Sequence, residues 1–282
     1  MNVDPIIVTG MHRSGTSLIS EILILNGIFF GSQLDVNNES VYFQRINKWI
    51  LSSKGCSWDN PESLCSIRDN DKAIICKKLS NVLSSRINNI LYFGLSNLLF
   101  NKSFFCYGDK WGWKDPVNVF TLHIWKELFP ELKIINIVRN PLDVSKSILS
   151  RQRKLHELDS SLNNKILSYF LPILSINKGD ILSSFNINTV NDCLILYKKY
   201  LNQMNINNNV FGDNILNISY EQLLNNSEKV ICEIFNFCNI PKQNLVNTIR
   251  IIDSGNINKY NYSDFDYDQK LLDDLDLSSY NG

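Results

Sequence analysis

The sequence of 282 residues contains no apolar run long enough to cross a bilayer, which takes roughly 18 to 20 residues. Nor is there a basic segment followed by a long apolar stretch near its start: the run Pro5–Val8 is too short for a signal peptide or an anchor. The formal net charge is +0, so no global field draws the chain to nucleic acid or to an anionic membrane, and any cationic site must be local. Its seven cysteines include no CxxC pair and no metal-ligand spacing. An odd, scattered set of thiols reads as reduced and mostly buried. These absences leave a cytoplasmic protein with no nucleic-acid partner, no membrane span and no metal as the expectation. Hydrophobic residues make up 44% and charged residues 20%, as in an ordinary globular domain.

The last absence is a single lysine. The segment Ile6-Ile-Val-Thr-Gly10-Met-His-Arg13-Ser-Gly15-Thr-Ser17 reads as an apolar strand, a glycine-bounded turn and a helix start. Such a turn presents backbone N–H groups to a phosphate. Its Gly10-x4-Gly15 spacing fits a nucleotide-binding P-loop, but Thr16-Ser17 stands where that loop has Lys followed by Ser or Thr. The lysine that reaches the β- and γ-phosphates is missing, and Arg13 lies inside the loop instead. The pattern is a phosphate cradle unsuited to ATP hydrolysis.

Helical periodicity or end signals place helices over Ser17–Asn26 with Gly27 as the stop, and over 40–52, 71–100, Asn118–Phe129, Asp192–Asn205 and Glu228–Cys238. Leu132–Val138 is a continuous apolar run, the pattern of a strand buried on both faces, and Ile215–Ile218 is another strand. Asn140-Pro141 forms an N-cap and first-turn pair for a helix to about Arg153. Residues 53–70 and Tyr107–Pro116 read as loop and turn. Strands alternating with helices behind a phosphate loop predict an α/β, three-layer P-loop-like fold with a central, mostly parallel sheet flanked by helices. One domain, 1–258, with helical insertions at about 40–105 and 155–190, precedes an acidic tail, 259–282. From Asn261 onward that tail carries six Asp against one Lys, as expected of solvated chain or a short surface helix.

The second loaded stretch is Val138-Arg139-Asn-Pro-Leu-Asp-Val-Ser-Lys-Ser147-Ile-Leu-Ser-Arg151. Arg139 falls where a strand gives way to a helix, the sheet edge at which open α/β folds bind ligands. Ser147 lies two turns into that helix, and Arg151, four residues on, shares its face. Such a set can grip a phosphate by charge-assisted hydrogen bonds.

With these segments the chain resembles the sulfotransferases that use 3′-phosphoadenosine 5′-phosphosulfate (PAPS), in particular their bacterial and tyrosylprotein-type branch. The resemblance rests on four ordered motifs over about residues 5–240: the loop Gly10–Ser17; Lys114-Asp115-Pro116; Arg139 with Ser147 and Arg151; and Tyr220-Glu221-Gln222-Leu223. It implies that Arg13 and the N–H groups of Ser14, Gly15, Thr16 and Ser17 hold the 5′-phosphosulfate. Arg139 and Ser147 would hold the 3′-phosphate, Arg151 and Tyr220 would complete the nucleotide site, and Lys114 would reach the sulfuryl group or its bridging oxygen. The product nucleotide would be 3′,5′-ADP.

In-line sulfuryl transfer asks a protein for positioning and charge stabilisation. It also asks for a base to take the proton of the accepting hydroxyl. Glu39 is the favoured base, with Asp35 and His12 as alternatives; Gln44 stands where bacterial relatives often carry an acidic residue. The bacterial character of the resemblance implies a sugar hydroxyl on a glycan or glycolipid as the acceptor, with a peptide tyrosine or a small metabolite as alternatives. The competing functions are a P-loop nucleotide kinase and a catalytically degenerate nucleotide-binding module. Against the kinase stand Thr16 after Gly15 and an arginine, Arg139, in place of an aspartate at the strand end. His123, Trp111 and Trp113 read as packing residues, and Asp115 as a structural carboxylate that orients Lys114 or caps the next helix.

Overall fold

The computed structural model describes residues 4–95, 103–159, 184–252 and 266–277. Much of the 155–190 insertion and of the acidic tail lies outside them. Four strands, β1 (Ile6–Gly10), β2 (Gly112–Lys114), β3 (Lys133–Val138) and β4 (Ile215–Ser219), form a parallel sheet in the order β2-β1-β3-β4. The helices follow as α1 (Thr16–Leu25), α2 (Val41–Ser52), α3 (Asp69–Ser84), α4 (Arg86–Phe93), α5 (Asn118–Leu128) and α6 (Pro141–Asp159). After them come α7 (Val190–Phe211), α8 (Tyr220–Asn225), α9 (Ser227–Phe237), α10 (Leu245–Arg250) and α11 (Gln269–Asp273).

The two-residue period of a strand divides the core. Ile6, Val8, Ile135 and Ile137 face one cluster with Ile19 and Leu23 of α1, Leu223 of α8 and Ile231 of α9. Ile7 and Ile134 face the other, built on α2, α3, α5 and α7. Both sheet faces are therefore covered, which is why these strands read as unbroken apolar runs. The expected three-layer α/β arrangement holds.

Three elements differ from the sequence reading. The turn-rich segment before Pro116 contains β2, a three-residue edge strand hidden by its glycine. A Cβ on Gly112 would fall 1.9 Å from the Ile6 carbonyl oxygen, so only glycine lets β2 close on β1. The single helix expected over 71–100 breaks at Ser85, whose extended backbone (ψ 118°) ends α3 and whose hydroxyl caps α4 by accepting from Asn88 N–H. Finally, α7 runs past Asn205 to Phe211. Its Asn-rich end has low helix propensity, but Asn207 Nδ2 donates to the Val119 carbonyl at 2.8 Å and Asn208 Oδ1 accepts from Asn217 at 3.2 Å. The described part of the tail is not free chain: α11 packs on α7, Lys198 pairs with Asp274 at 2.9 Å, and Leu275 is buried.

Aromatic packing fixes β2 from below. Trp113 stacks on Phe43 at 3.8 Å and meets Trp125 edge-on at 4.9 Å, and Trp111, Trp113 and Trp125 are all buried. Truncating a ring of this kind to alanine costs about 3–5 kcal/mol. The residue that follows, Lys114, is thereby anchored at the carboxyl end of β2.

Candidate active site

The loop between β1 and α1 lies at the carboxyl edge of the sheet. Gly10 (φ 143°) and Gly15 (φ 104°) hold conformations closed to most side chains, and Arg13 takes a left-handed one (φ 69°). Space forbids a side chain at both glycines as well. A Cβ on Gly10 would fall 2.3 Å from the Ile137 carbonyl oxygen, and one on Gly15 2.4 Å from the Tyr220 ring. The first turn of α1 has neither a side-chain cap nor an acidic residue, so its N–H groups and the positive end of its dipole are left to an incoming anion. Ser14 departs from the expectation for the loop. Its N–H points to the Met11 carbonyl at 3.2 Å and its hydroxyl donates to the same oxygen at 2.7 Å, so this residue is spent on closing the turn.

Gly15, Thr16 and Ser17 line one cleft with Arg13, Arg139, Ser147 and Arg151. Arg13 Nε donates to Ser147 Oγ at 2.9 Å, which ties the loop to α6. Asn140 caps α6 as expected, accepting from Leu142 N–H at 2.9 Å. The Arg139 guanidinium lies 4.5 Å from the centre of the Tyr220 ring and donates to Asp143 Oδ2 at 3.1 Å; its Nε is buried without a partner among the described residues. Tyr220 thus acts from beneath, buried against Gly15 and Arg139, and does not line the cleft. Its neighbour Glu221 fastens the β3–α6 turn, accepting from Asn140 N–H at 2.9 Å and from the Ser219 hydroxyl at 3.0 Å.

Lys114 and Glu39 meet at the other side of the same cleft. Nζ lies 2.5 Å from Glu39 Oε1 and 3.0 Å from the Asn37 carbonyl oxygen, while Gln44 Nε2 donates to Glu39 Oε2. Asp35 does not enter the cleft: its Oδ1 accepts from the N–H groups of Asn37 and Glu39 at 2.9 and 2.8 Å, building the turn that presents Glu39. Gln44, in the place of an acidic residue, spans Asp35 and Glu39. Asp115 is buried behind Lys114, accepting from Asn47 Nδ2 at 2.8 Å and Val117 N–H at 3.1 Å. Burial, and next the Glu39 carboxylate, push its carboxyl up to about 7.

His12 also lines the cleft, where burial and then the charges of Arg151, Lys114 and Arg13 push its imidazole down to about 3. Asn37 was missed by sequence reading, although Asp35-x-Asn37 with a left-handed Asn38 (φ 61°) is the signal of an Asx turn. Asp143, the partner of Arg139 four residues on, was missed as well; an acidic residue in the first turn of the helix after Arg139 is the signal that could have found it. Among the described residues no His/Cys/Asp/Glu cluster could hold a metal ion, and no helix is long and apolar enough to cross a membrane.

Four cations, a helix N-terminus and one carboxylate on a shared cleft can bind a doubly anionic ligand and take a proton beside it. The model of the sulfotransferase family matches residues 5–244. No curated protein matches the sequence. The fold is similar to the sulfotransferase domain of the curacin biosynthetic pathway, with 15% identity, TM-score 0.54, and 100% of this chain and 99% of that one covered. It is also similar to the sulfotransferase domain of the Synechococcus PCC 7002 olefin synthase (15% identity, TM-score 0.51, 100% and 96% covered). Mycobacterium avium sulfotransferase STF9 shares the fold as well (13% identity, TM-score 0.51, 100% and 78% covered). With the family model spanning the loop, β2, β3 and the Tyr220 segment, the chain belongs to the sulfotransferase family and is a sulfotransferase enzyme.

Proposed function

We propose that the chain moves a sulfuryl group from PAPS to a hydroxyl of a glycan or glycolipid by in-line transfer. One observation carries the reading: a single cleft gathers Arg13, Arg139, Arg151 and Lys114 at the start of α1, with one carboxylate, Glu39, against Lys114. The residues fit a nucleotide with two anionic ends. The buried Nε–H of Arg139, unpartnered among the described residues, calls for an acceptor oxygen, and the uncapped first turn of α1 calls for another. When bound, PAPS supplies a sulfuryl group activated by a phosphate leaving group.

Arg13 and the N–H groups of Gly15, Thr16 and Ser17 hold the 5′-phosphosulfate. Arg139 and Ser147 hold the 3′-phosphate, with Arg151 beside them and Tyr220 supporting Arg139 from below. Lys114 and Arg13 stabilise charge growing on the leaving oxygen. Glu39 takes the proton of the acceptor hydroxyl at a carboxylate oxygen, and Gln44 and Asp35 hold the turn that aims it. Trp58, half-buried beside His12, offers an aromatic face of the kind sugars stack on.

Calorimetric titration with 3′,5′-ADP is the first test. Micromolar-range binding without added magnesium is expected; no binding, or a strict magnesium requirement, sinks the reading. Mass spectrometry of a cell extract incubated with enzyme and PAPS then identifies the acceptor, and a product sulfated elsewhere than on a sugar hydroxyl overturns the glycan assignment alone.

A further inference from the structure

His12 is the residue of the phosphate loop whose role the roles above leave open. It is 7% exposed, and its Nε2 is buried with no hydrogen-bond partner among the described residues. The ring is clamped: Trp58 meets it edge-on at 4.9 Å and Tyr200 at 6.1 Å. That clamp is itself tied down, because the Tyr200 hydroxyl donates to the Trp58 carbonyl at 2.9 Å and Asp59 accepts from Ser184 Oγ and Asn186 Nδ2. A fixed polar ring with an unmet nitrogen is unfavourable until a ligand meets it.

Two observations define that ligand. Burial and the charges of Arg151, Lys114 and Arg13, opposed by Asp59, keep the imidazole neutral at ordinary pH, so one nitrogen carries hydrogen and the other a lone pair. His12 lines a cleft walled by cations, which admits an anion whose oxygens only accept, so Nε2 must carry the hydrogen if it is to meet one. The charged neighbours of His12 are Arg151, Lys114, Arg13 and Asp59; Lys114 and Arg13 are the pair assigned above to the reacting atoms, and Arg139 is not among them.

Resting on the sulfotransferase reading of this cleft, we propose that His12 donates Nε2–H to a non-bridging oxygen of the sulfuryl group. It thereby becomes a catalytic residue that distinguishes the loaded donor from the spent nucleotide. The bond broken is that between sulfur and the bridging oxygen, whose electron pair stays with the phosphate. The bond formed is from sulfur to the acceptor oxygen, whose proton goes to Glu39. His12 keeps its own proton throughout, adding a hydrogen bond without adding charge.

The test compares PAPS with 3′,5′-ADP, which lacks the sulfuryl group, by calorimetry on the wild type, His12→Ala and His12→Gln. His12→Ala should bind 3′,5′-ADP as the wild type does and lose about tenfold in affinity for PAPS. His12→Gln, with an amide N–H near the place of Nε2, should recover most of the difference. Equal losses for both ligands, no loss for either, or failure of glutamine to rescue overturns the assignment. Nitrogen NMR on the wild type, with three histidines to assign, gives a readout free of any variant. A protonated Nε2 whose proton moves downfield with PAPS but not with 3′,5′-ADP supports the proposal, and a Nε2 without hydrogen overturns it. If the wild type fails to bind 3′,5′-ADP, the sulfotransferase reading fails instead.

Discussion

Lys114 and Glu39 are charges that burial would penalise separately, since their side chains are 2% and 11% exposed. Removing one leaves the other ionised with little water around it, a cost of about 3–5 kcal/mol, while removing both leaves no orphan. Lys114→Met is therefore expected to lower stability by about 3 kcal/mol. The double variant Lys114→Met/Glu39→Gln should regain most of that loss and still fail in sulfuryl transfer. Urea denaturation of the single and double variants decides it: losses that simply add would dissolve the pair. Arg139 makes a different prediction, because its role is in binding. Arg139→Ala should weaken 3′,5′-ADP by about 1.5–3 kcal/mol, the worth of a hydrogen bond to a charged group, and an unchanged Kd would remove it from the 3′-phosphate. That Arg13, Arg139, Ser147 and Arg151 share a cleft was legible because loop position and helical spacing are written in the sequence, while Lys114 was pointed to only by the family resemblance of its Lys114-Asp115-Pro116 motif. Their partners were less legible. The Asn37 carbonyl and the Gln44 amide meet Lys114 and Glu39 through a turn that periodicity does not encode.

At the scale of elements, the β1–α1 turn is the most constrained junction, and Gly15 is its tightest point. Its φ of 104° is strained for alanine, and the added Cβ would press on the Tyr220 ring that supports Arg139. Gly15→Ala is thus expected to destabilise the fold by about 1–3 kcal/mol. It should also weaken 3′,5′-ADP, because the loop and the Arg139 platform shift together. A variant that binds normally would show that Tyr220 yields without moving Arg139. The same scale shows where sequence patterns stop. Long buried strands such as β3 announce themselves by composition, whereas β2 has three residues and owes its place to the missing side chain of Gly112. The end of α7 runs against propensity because Asn207 and Asn208 find partners on other elements, and a window of sequence contains no trace of them.

For the whole molecule, the layered fold buries titratable groups, and their proton balance sets the pH at which the protein is most stable. Burial and nearby cations hold His12 at about 3, and burial and then Lys72 hold His123 at about 4. A histidine depressed in the folded state contributes stability that is present above its unfolded value of about 6.5 and lost as pH falls. Asp115, raised to about 7, has the opposite sign: its contribution is present below its unfolded value and is lost as pH rises toward 7. Near pH 5 the two histidines outweigh the one aspartate by about one proton, and the excess shrinks as the unfolded histidines lose their protons toward pH 6.5. Stability should therefore rise with pH most steeply near pH 5, by about 1 kcal/mol per unit, and flatten toward pH 6.5. His123→Gln lies outside the cleft and removes one histidine from the balance, leaving His12 and Asp115 to cancel. Urea denaturation at intervals across that window should give a sloping line for the wild type and a nearly flat one for the variant. If both keep the same slope, His123 is protonated in the folded protein, and the acid sensitivity of this fold has another source.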